Sequence, residues 1–207
     1  QLYRFTPMQT SFGCNMLALN GGRPEQLTLR SFLTNFIDFR EDVVARRVAF
    51  ELRKARERSH ILCGLAVAVS NVDEVVATIR SSADAADARE KLMTRRWPAQ
   101  DIAEYIKLID DPTHKINDDG SYNLSETQAR AILELRLQRL TQLGVQEVTD
   151  ELQALAKNII DYLEILSSRD RIMRIIKDEL EDVREKFAVP RRTEIIEWSG
   201  DMEDEDL

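Results

Sequence analysis

Apolar residues recur at steps of three and four over a long stretch in the second half of the chain. They fall at Val148, Leu152, Leu155, Ile159, Tyr162, Leu166, Met173, Ile176, Leu180, Val183 and Phe187. This spacing is typical of the seam along which one long helix packs against another. It predicts a helix over 145–187, with a kink or short break near Ser167–Arg169. Pro190 ends this helix, because proline has no backbone N–H to continue it.

An earlier stretch has a less regular seam that contains several small residues. The seam passes through Phe36 or Ile37, Val44, Val48, Leu52, Ala55, Ser59, Leu62, Ala66 and Val69. Thr28 is a suitable N-cap, and no glycine or proline follows it until Gly64, so we predict one helix over 28–70. At 1.5 Å per residue this helix would be roughly 64 Å long, close to the length of the later one. Helices of matched length are expected to pair antiparallel as a stalk.

The segment between the two long helices predicts a helical knob at the tip of the stalk. Its elements are short helices near 73–81, 85–94 and 99–109, a polar loop over 110–123, and a helix that Ser125 caps and that runs to about Leu140. Serine is a favoured N-cap residue, and Gly144 marks the end of this segment.

The chain ends are predicted to meet at the base of the stalk. Residues 11–19 alternate imperfectly, the run Asn20–Pro24 has turn chemistry, and 25–27 returns as a short strand, which together indicate a β-hairpin. Residues 193–198 are predicted to add a strand near it. The fold class is therefore mainly α: a long antiparallel two-helix coiled-coil stalk with a small helical knob at its tip and a short β-hairpin at its base. The expected divisions are 1–27, 28–70, 71–144, 145–187 and 188–207.

Composition agrees with a helical chain. The 207 residues include only seven glycines and five prolines, and 32% of the residues are charged while 6% are aromatic. The net charge of -8 is concentrated at the end, since seven acidic and no basic residues follow Arg192. The longest apolar run, Ile61–Val69, is far shorter than the roughly 20 residues that span a bilayer. With no initiator Met and no signal pattern, we expect a piece of a longer cytoplasmic chain.

The sequence contains little that predicts a self-contained active site. It has no glycine-rich phosphate loop and no G-x-S-x-G motif. His60 and Cys63 are spaced to share one helix face, but a structural zinc site needs about four ligands. We therefore predict no metal site and no catalytic residue in this chain.

A basic cluster on the first long helix is the stronger candidate for function. Its proposed DNA-facing members are Arg46, Arg47, Arg53, Lys54 and Arg56, with Arg58 close by. Such density on a helix can meet phosphates without reading sequence. The alternative is a solvated face supported by i,i+4 ion pairs such as Arg53 with Glu57. Aromatic residues do not interleave with these charges, which argues against stacking on single strands.

The helix 126–140 has more apolar residues than one buried face requires. The surplus predicts a second buried surface, and such a patch commonly marks self-association. The predicted dimer contacts are Ala129, Ile132, Leu133, Arg136, Leu137 and Leu140. The alternative is a helix that is entirely internal.

Four separated blocks resemble a known family over essentially the whole chain. They are QLYRFTPMQTSFGCNMLAL at 1–19, FELRKARERSHILCGLAVAVSNVDEV at 50–75, LSETQARAILELRLQRLTQL at 124–143, and DELEDVREKF with RRTEI between 178 and 195. The sequence resembles the breakage-reunion subunit, also called the A subunit, of bacterial type IIA topoisomerases. The Arg191–Ile195 ending is more similar to the DNA gyrase branch than to topoisomerase IV.

The resemblance implies a part of an enzyme rather than a complete one. By it, 1–27 is the end of the tower, 28–70 and 145–187 are the stalk, 71–144 is the dimerising exit gate, and 188–207 leads to a further domain. The family's DNA-linked tyrosine lies in an Arg-Tyr-Thr context that Tyr3, Tyr105, Tyr122 and Tyr162 lack.

The same resemblance implies the partners and cofactors. The chain would form a homodimer through the knob, join the gyrase B subunit in an A2B2 enzyme, and contact duplex DNA weakly. Mg²⁺ and ATP would act through the B subunit, and the intact enzyme would be an ATP-hydrolysing topoisomerase that supercoils DNA. Two alternatives remain: the equivalent region of topoisomerase IV, and a plain coiled-coil scaffold with no DNA role.

Overall fold

A computed structural model describes residues 2–8, 10, 12–99, 102–109, 115–134 and 142–197. For residues 3, 4 and 142–145 it describes the backbone alone. The helices are α1 (Leu2–Phe5), α2 (Leu29–Ser70), α3 (Val72–Arg80), α4 (Ala85–Thr94), α5 (Ala103–Ile109), α6 (Glu126–Glu134), α7 (Gln142–Ser167) and α8 (Arg169–Phe187). The strands are β1 (Leu17–Asn20), β2 (Arg23–Gln26), β3 (Arg96–Pro98) and β4 (Ser121–Asn123). The mainly α fold class is confirmed.

The chain divides into two compact units. The terminal unit comprises Gln1–Val43 and Met173–Leu207, and the central unit comprises Val44–Ile172. Among the described residues no single helix is long and apolar enough to cross a membrane, and only α2 and α3 taken together across a 90° bend pass that test. Much of the apolar segment around this bend lies in the core of the central unit, where Leu62, Val67 and Val75 are buried.

The predicted hairpin is present in the terminal unit. Strands β1 and β2 pair antiparallel, with Leu17 opposite Gln26 and Asn20 opposite Arg23. The turn needs two residues with positive φ, and Gly21 and Gly22 supply them at 56° and 79°. Glycine adopts this conformation without the steric cost that a Cβ would add.

The first long helix begins where the sequence predicts. The Thr28 hydroxyl oxygen accepts a hydrogen bond from the backbone N–H of Ser31 at 3.2 Å, so it caps the helix. Helix α2 then runs for 42 residues. In the terminal unit Arg40 joins it to α8, through an ion pair of 2.7 Å with Glu179.

The terminal unit differs from the prediction in two respects. The seam positions Leu180, Val183 and Phe187 are exposed, and so are Phe32, Phe36 and Phe39 on α2, so the two helices do not bury these apolar side chains in the described residues. The predicted base strand is also absent: residues 193–197 have no regular secondary structure, since no described strand pairs with them. Trp198 lies outside the described residues.

In the central unit α2 and α7 run antiparallel. Arg58 of α2 makes two hydrogen bonds, of 2.7 and 3.0 Å, to the Glu151 carboxylate of α7. Earlier on α2, Leu52 and Ala55 pack against Ile159, which lies later on α7. The buried positions of α2 follow the predicted seam from Val44 to Leu62.

The predicted break in the second long helix is confirmed at Ser168, which separates α7 from α8. The two serines at the break make different hydrogen bonds. The Ser167 hydroxyl donates to the carbonyl oxygen of Glu164 at 2.9 Å, while the Ser168 carbonyl accepts from the backbone N–H of Ile172 at 3.3 Å. On either side of the break, the side chains of Ile165 and Ile172 are buried.

A small sheet that the sequence did not predict organises the knob segment. Strands β3 and β4 pair antiparallel, with Trp97 opposite Tyr122. Both side chains are almost fully buried, and the Trp97 Nε1–H donates to the carbonyl oxygen of Leu92 at 2.9 Å. The predicted helix over 99–109 is described as α5 from Ala103, and Ala99, directly after β3, is not helical.

The first turn of α6 contains a capping box. The backbone N–H of Gln128 donates to the Ser125 hydroxyl at 3.2 Å, and the backbone N–H of Ser125 donates to Gln128 Oε1 at 2.9 Å. This reciprocal pair satisfies two donors that a helix start leaves open. The helix is described to Glu134, and its predicted continuation to Leu140 lies outside the described residues.

Helices α2 and α6 approach each other closely at Gly64. A Cβ atom at this position would lie 2.6 Å from both Cβ and Cγ of Gln128, closer than real Cβ contacts allow. Gln128 is fully buried, and its Nε2 donates to the backbone carbonyl of His60 at 2.6 Å. The glycine is therefore needed for the position of α6 against α2.

We predict that Gly64→Ala destabilises the protein by about 1–3 kcal/mol, the usual cost of forcing extra volume into a packed core. The loss outweighs the better helix propensity of alanine, which contributes about 1 kcal/mol in the opposite direction. Urea unfolding followed by circular dichroism measures the difference. The matched control is Gly13→Ala, where no atom lies within 4 Å of the new Cβ. Equal stability of the two variants would contradict the close approach.

Candidate nucleic-acid and dimer surfaces

The predicted DNA-facing residues lie on the solvent side of α2 within the central unit. Arg46, Arg47, Arg53 and Lys54 are exposed, and Arg56 is half-buried. The opposite side of the helix carries the buried positions, because core contacts repeat every three or four residues. The first four residues thus share one accessible face, which we call the basic face.

An aromatic residue lies in the middle of the basic face. Phe50 is 45% exposed, with the Arg53 guanidinium carbon 5.3 Å and the Lys54 Nζ 4.8 Å from its ring centroid. Cations within about 6 Å of a ring are attracted to its negative face. The prediction that aromatics do not interleave with these charges is therefore wrong. The sequence did contain this signal, because Phe50 precedes Arg53 by three residues and Lys54 by four, and residues at these spacings are neighbours on a helix surface.

The ion pairs of Arg53 and Arg58 show that these two members of the basic cluster have different roles. Arg53 Nε lies 3.9 Å from Glu57 Oε1, a loose pair on an exposed surface that contributes little. Arg58 instead makes the two-bond contact with Glu151, and this hydrogen bonding is the main cause that raises the pKa of its guanidinium. Arg58 therefore joins α2 to α7 and does not belong to the basic face.

The predicted dimer residues separate into three groups. Ala129 and Ile132 are buried in the chain's own core. Their side chains hold α6 against that core and are not accessible to a second copy. Leu133 is partly buried and packs against the same core. Arg136, Leu137 and Leu140 lie outside the described residues. Of the six, the described structure leaves only Leu133 partly accessible.

A polar network connects the start of α6 to α2 on the inner side of α6. His60 Nε2 and the Ser125 hydroxyl are 2.7 Å apart, and the Ser125 hydroxyl also lies 2.9 Å from that of Thr127. The Tyr122 hydroxyl donates to Gln128 Oε1 at 3.1 Å inside the core. The network fixes the start of α6, since each buried polar group needs a partner.

Two of the residues considered above for metal binding or catalysis, Cys63 and Tyr122, are buried in the core. Cys63 is fully buried, and the described residues contain no group of three or more metal-ligating side chains. Tyr122 is inside the core. Burial is the main cause that raises the pKa of Tyr162, with Glu51 adding to the effect. A tyrosine that is harder to ionise is a poorer nucleophile. His114 lies outside the described residues.

Comparison with known proteins identifies the family. The family profile for the A subunit of DNA gyrase and topoisomerase IV matches residues 1–181. The chain belongs to this family. It is 49% identical over its full length to the DNA gyrase A subunit of Granulibacter bethesdensis and covers 22% of that protein. It is 45% identical to the protein of the same name from Rickettsia conorii, again over all of this chain and 23% of the relative. For the Neisseria gonorrhoeae protein of that name the identity is 41%, over 100% of this chain and 24% of the relative.

The chain therefore spans less than a quarter of the length of these curated relatives. The basic face, the network around Gln128 and α6 all lie within the residues that the family profile matches.

We predict that the two cysteines differ strongly in reactivity. Burial raises the pKa of the Cys63 thiol to about 12, whereas the Cys14 side chain is exposed. Since the thiolate is the reactive form, iodoacetamide at pH 8 should label Cys14 and leave Cys63 unmodified until urea unfolds the chain. Peptide mass spectrometry measures both sites. Equal labelling of Cys63 in the folded protein would contradict the core described here.

Proposed function

We propose that this chain is the exit-gate region of a DNA gyrase A subunit. The observation that carries the proposal is the full-length match, at 41–49% identity, to proteins named as the A subunit of DNA gyrase. Such a region has no active site of its own, and it serves the enzyme by opening and closing a protein contact. The exit gate itself follows from the family resemblance and is the part that experiments must test.

The proposed divisions follow the elements. Residues 1–27 end the tower, 28–70 and 145–187 form the stalk, and 71–144 form the knob. The last division, 188–207, begins the linker to a further domain. The antiparallel pairing of α2 with α7 in the central unit supports this arrangement, because an out-and-back path brings a tip segment between two long helices.

The knob is proposed to pair with the knob of a second copy. Two subunits would meet at α6 and the residues after it, and the passed duplex would leave when the knobs part. The interface should be modest in area, since a gate that opens in each cycle cannot bury the surface of an obligate dimer. The capping box and the Gln128 network support this role, because they hold α6 in place on its inner side.

We predict that Leu137→Glu, alone and combined with Leu133→Glu, converts the dimer to monomers while helix content is retained. A carboxylate on each copy would meet its equivalent in a symmetric contact, and the apolar area would be lost. Sedimentation velocity gives the mass and circular dichroism the helix content. The control is Gln153→Glu, which adds the same charge at an exposed position of α7. A Leu137→Glu protein that remains dimeric would put the interface elsewhere.

The basic face is proposed to guide the duplex by weak contacts with phosphates. Phe50 supports this role, since it holds the charged ends of Arg53 and Lys54 over one ring on an exposed surface. Tight binding would slow release of the passed duplex, so the contact should be salt-sensitive and feeble. The acidic residues after Arg192 should weaken it further by competing for the same cations.

We predict that changing Arg46, Arg53 and Lys54 together to Gln lowers supercoiling by the complete enzyme more than it lowers DNA cleavage. Cleavage depends on a tyrosine outside this chain, so loss of guidance should leave it nearly intact. The slope of log K against log salt for duplex binding should fall by up to about three units, roughly one for each phosphate contact. Supercoiling assays, cleavage assays and a salt titration measure the three effects.

The control removes the same charge from exposed positions outside the basic face, by Arg80→Gln, Lys107→Gln and Lys157→Gln. Equal loss of supercoiling in both triple variants would indicate a general charge effect. No loss in either would favour a solvated face without a DNA role.

The rest of the activity is proposed to come from outside this chain. The gyrase B subunit would supply ATP hydrolysis and the Mg²⁺ site in an A2B2 enzyme, and the complete protein would act in the cytoplasm as a type IIA topoisomerase. The competing assignment is topoisomerase IV. The complete protein should introduce negative supercoils into relaxed plasmid in the presence of ATP, and decatenation without supercoiling would support the alternative.

A further inference from the structure

The turn of the hairpin contains the one Asn-Gly sequence in the chain. Asn20 ends β1, and Gly21 follows it directly at a φ of 56°. Both residues are exposed to solvent. The other six asparagines precede larger residues: Asn15, Asn35, Asn71, Asn117, Asn123 and Asn158 are followed by Met, Phe, Val, Asp, Leu and Ile. Asn20 is therefore the asparagine whose neighbouring backbone nitrogen is not screened by a side chain.

A glycine after an asparagine permits a reaction between the two residues. The backbone nitrogen of Gly21 can attack the amide carbon Cγ of Asn20, and a Cβ on the attacking residue would obstruct this approach. The space around Gly21 is also open, since a Cβ atom built there would meet no atom within 4 Å. The turn thus places an exposed amide next to an unscreened backbone nitrogen.

The folded hairpin restrains this amide only weakly. Nδ2 of Asn20 donates to Oε2 of Glu25 at 3.2 Å on an exposed surface, and Asn20 pairs with Arg23 in the strand register. Strands β1 and β2 form a two-stranded sheet, and most of their side chains are exposed. Such a hairpin is marginally stable in water, and elements with little buried apolar surface open most readily. The amide therefore reaches the Gly21 nitrogen when the hairpin opens.

We propose that Asn20 is a site of spontaneous modification, at which the side-chain amide is converted to a carboxylate without an enzyme. The Gly21 nitrogen gives up its proton and bonds to Cγ of Asn20, while the Cγ–Nδ2 bond breaks and ammonia leaves with that proton. Water then adds to one of the two carbonyls of the resulting succinimide ring and opens it. Opening at one carbonyl gives aspartate. Opening at the other gives isoaspartate, in which Cβ and Cγ become part of the main chain.

Either product changes the turn. The new carboxylate replaces the amide donor that faced Glu25, so two negative charges lie near each other where a hydrogen bond existed. Aspartate leaves the length of the backbone unchanged, and Arg23, opposite it in the register, offers a counter-charge. Isoaspartate lengthens the main chain by a methylene group and so disturbs the pairing of Leu17–Asn20 with Arg23–Gln26. The isoaspartate product is therefore the one that loosens the hairpin most.

The test follows the asparagines of this chain in the complete protein during incubation at 37 °C and pH 7.5. Peptide mass spectrometry detects the mass gain that accompanies the exchange of an amide for an acid. Asn20 should convert at least tenfold faster than Asn35 and Asn158, which precede bulky residues, and electron-transfer fragmentation should find isoaspartate beside aspartate. A rate at Asn20 no faster than at these two residues would overturn the proposal.

Matched variants separate the chemistry from the stability of the turn. Gly21→Asp adds a Cβ to the attacking residue, and Gly22→Asp adds the same side chain one residue later. Both glycines have positive φ, which aspartate tolerates better than most residues, and both have open surroundings. Conversion of Asn20 should slow at least tenfold in Gly21→Asp and stay close to the wild-type rate in Gly22→Asp.

Equal slowing in both variants would assign the effect to the turn and overturn the proposal. A wild-type rate in Gly21→Asp would overturn it as well, because the attacking nitrogen would then be irrelevant. None of these measurements involves DNA or a second copy, so failure here is separable from failure of the proposed function.

Discussion

The central unit depends on the contact between Gly64 and Gln128. Because Gly64 has no Cβ, the side chain of Gln128 can lie directly on α2 and reach the carbonyl of His60. The same amide accepts from the backbone of Ser125 and from the Tyr122 hydroxyl. One fully buried glutamine thus connects α2, β4 and α6. A low-polarity interior strengthens such bonds and makes an unpaired group costly, so the network specifies one position for α6.

The position of α6 matters because this helix completes the core and is also proposed to contact a second copy. Its inner face, with Ala129 and Ile132, completes the core around Trp97 and Leu62. Its outer side and the residues after Glu134 are proposed to meet a second copy. A helix that must form and release a contact repeatedly needs a rigid support, and interiors at native packing density provide one. The capping box and the Gln128 network place that support on the side away from the proposed partner.

Helix α2 shows how one long element can serve both packing and recognition. Its buried side carries Val44, Val48 and Leu52, whereas its exposed side carries the basic face. Phe50 keeps Arg53 and Lys54 close together there, and the pair of Arg53 with Glu57 is loose, which suits the proposed weak contact with a polyanion. Arg56 lies at the border between the two sides, and its Nε is buried without a hydrogen-bond partner among the described residues.

The sequence by itself determined the elements whose causes are local. The Gly21–Gly22 turn, the Thr28 cap, the 42 residues of α2 and the break at Ser168 follow from backbone conformations and periodicities within a few residues. The four-block resemblance likewise needed no structure to indicate the family. Tertiary structure alone decided the pairing of β3 with β4, the fit of Gln128 against Gly64, and the burial of Ala129 and Ile132. Three-residue strands have almost no local signal, and a close contact between positions 64 and 128 depends on how the whole chain closes around its core.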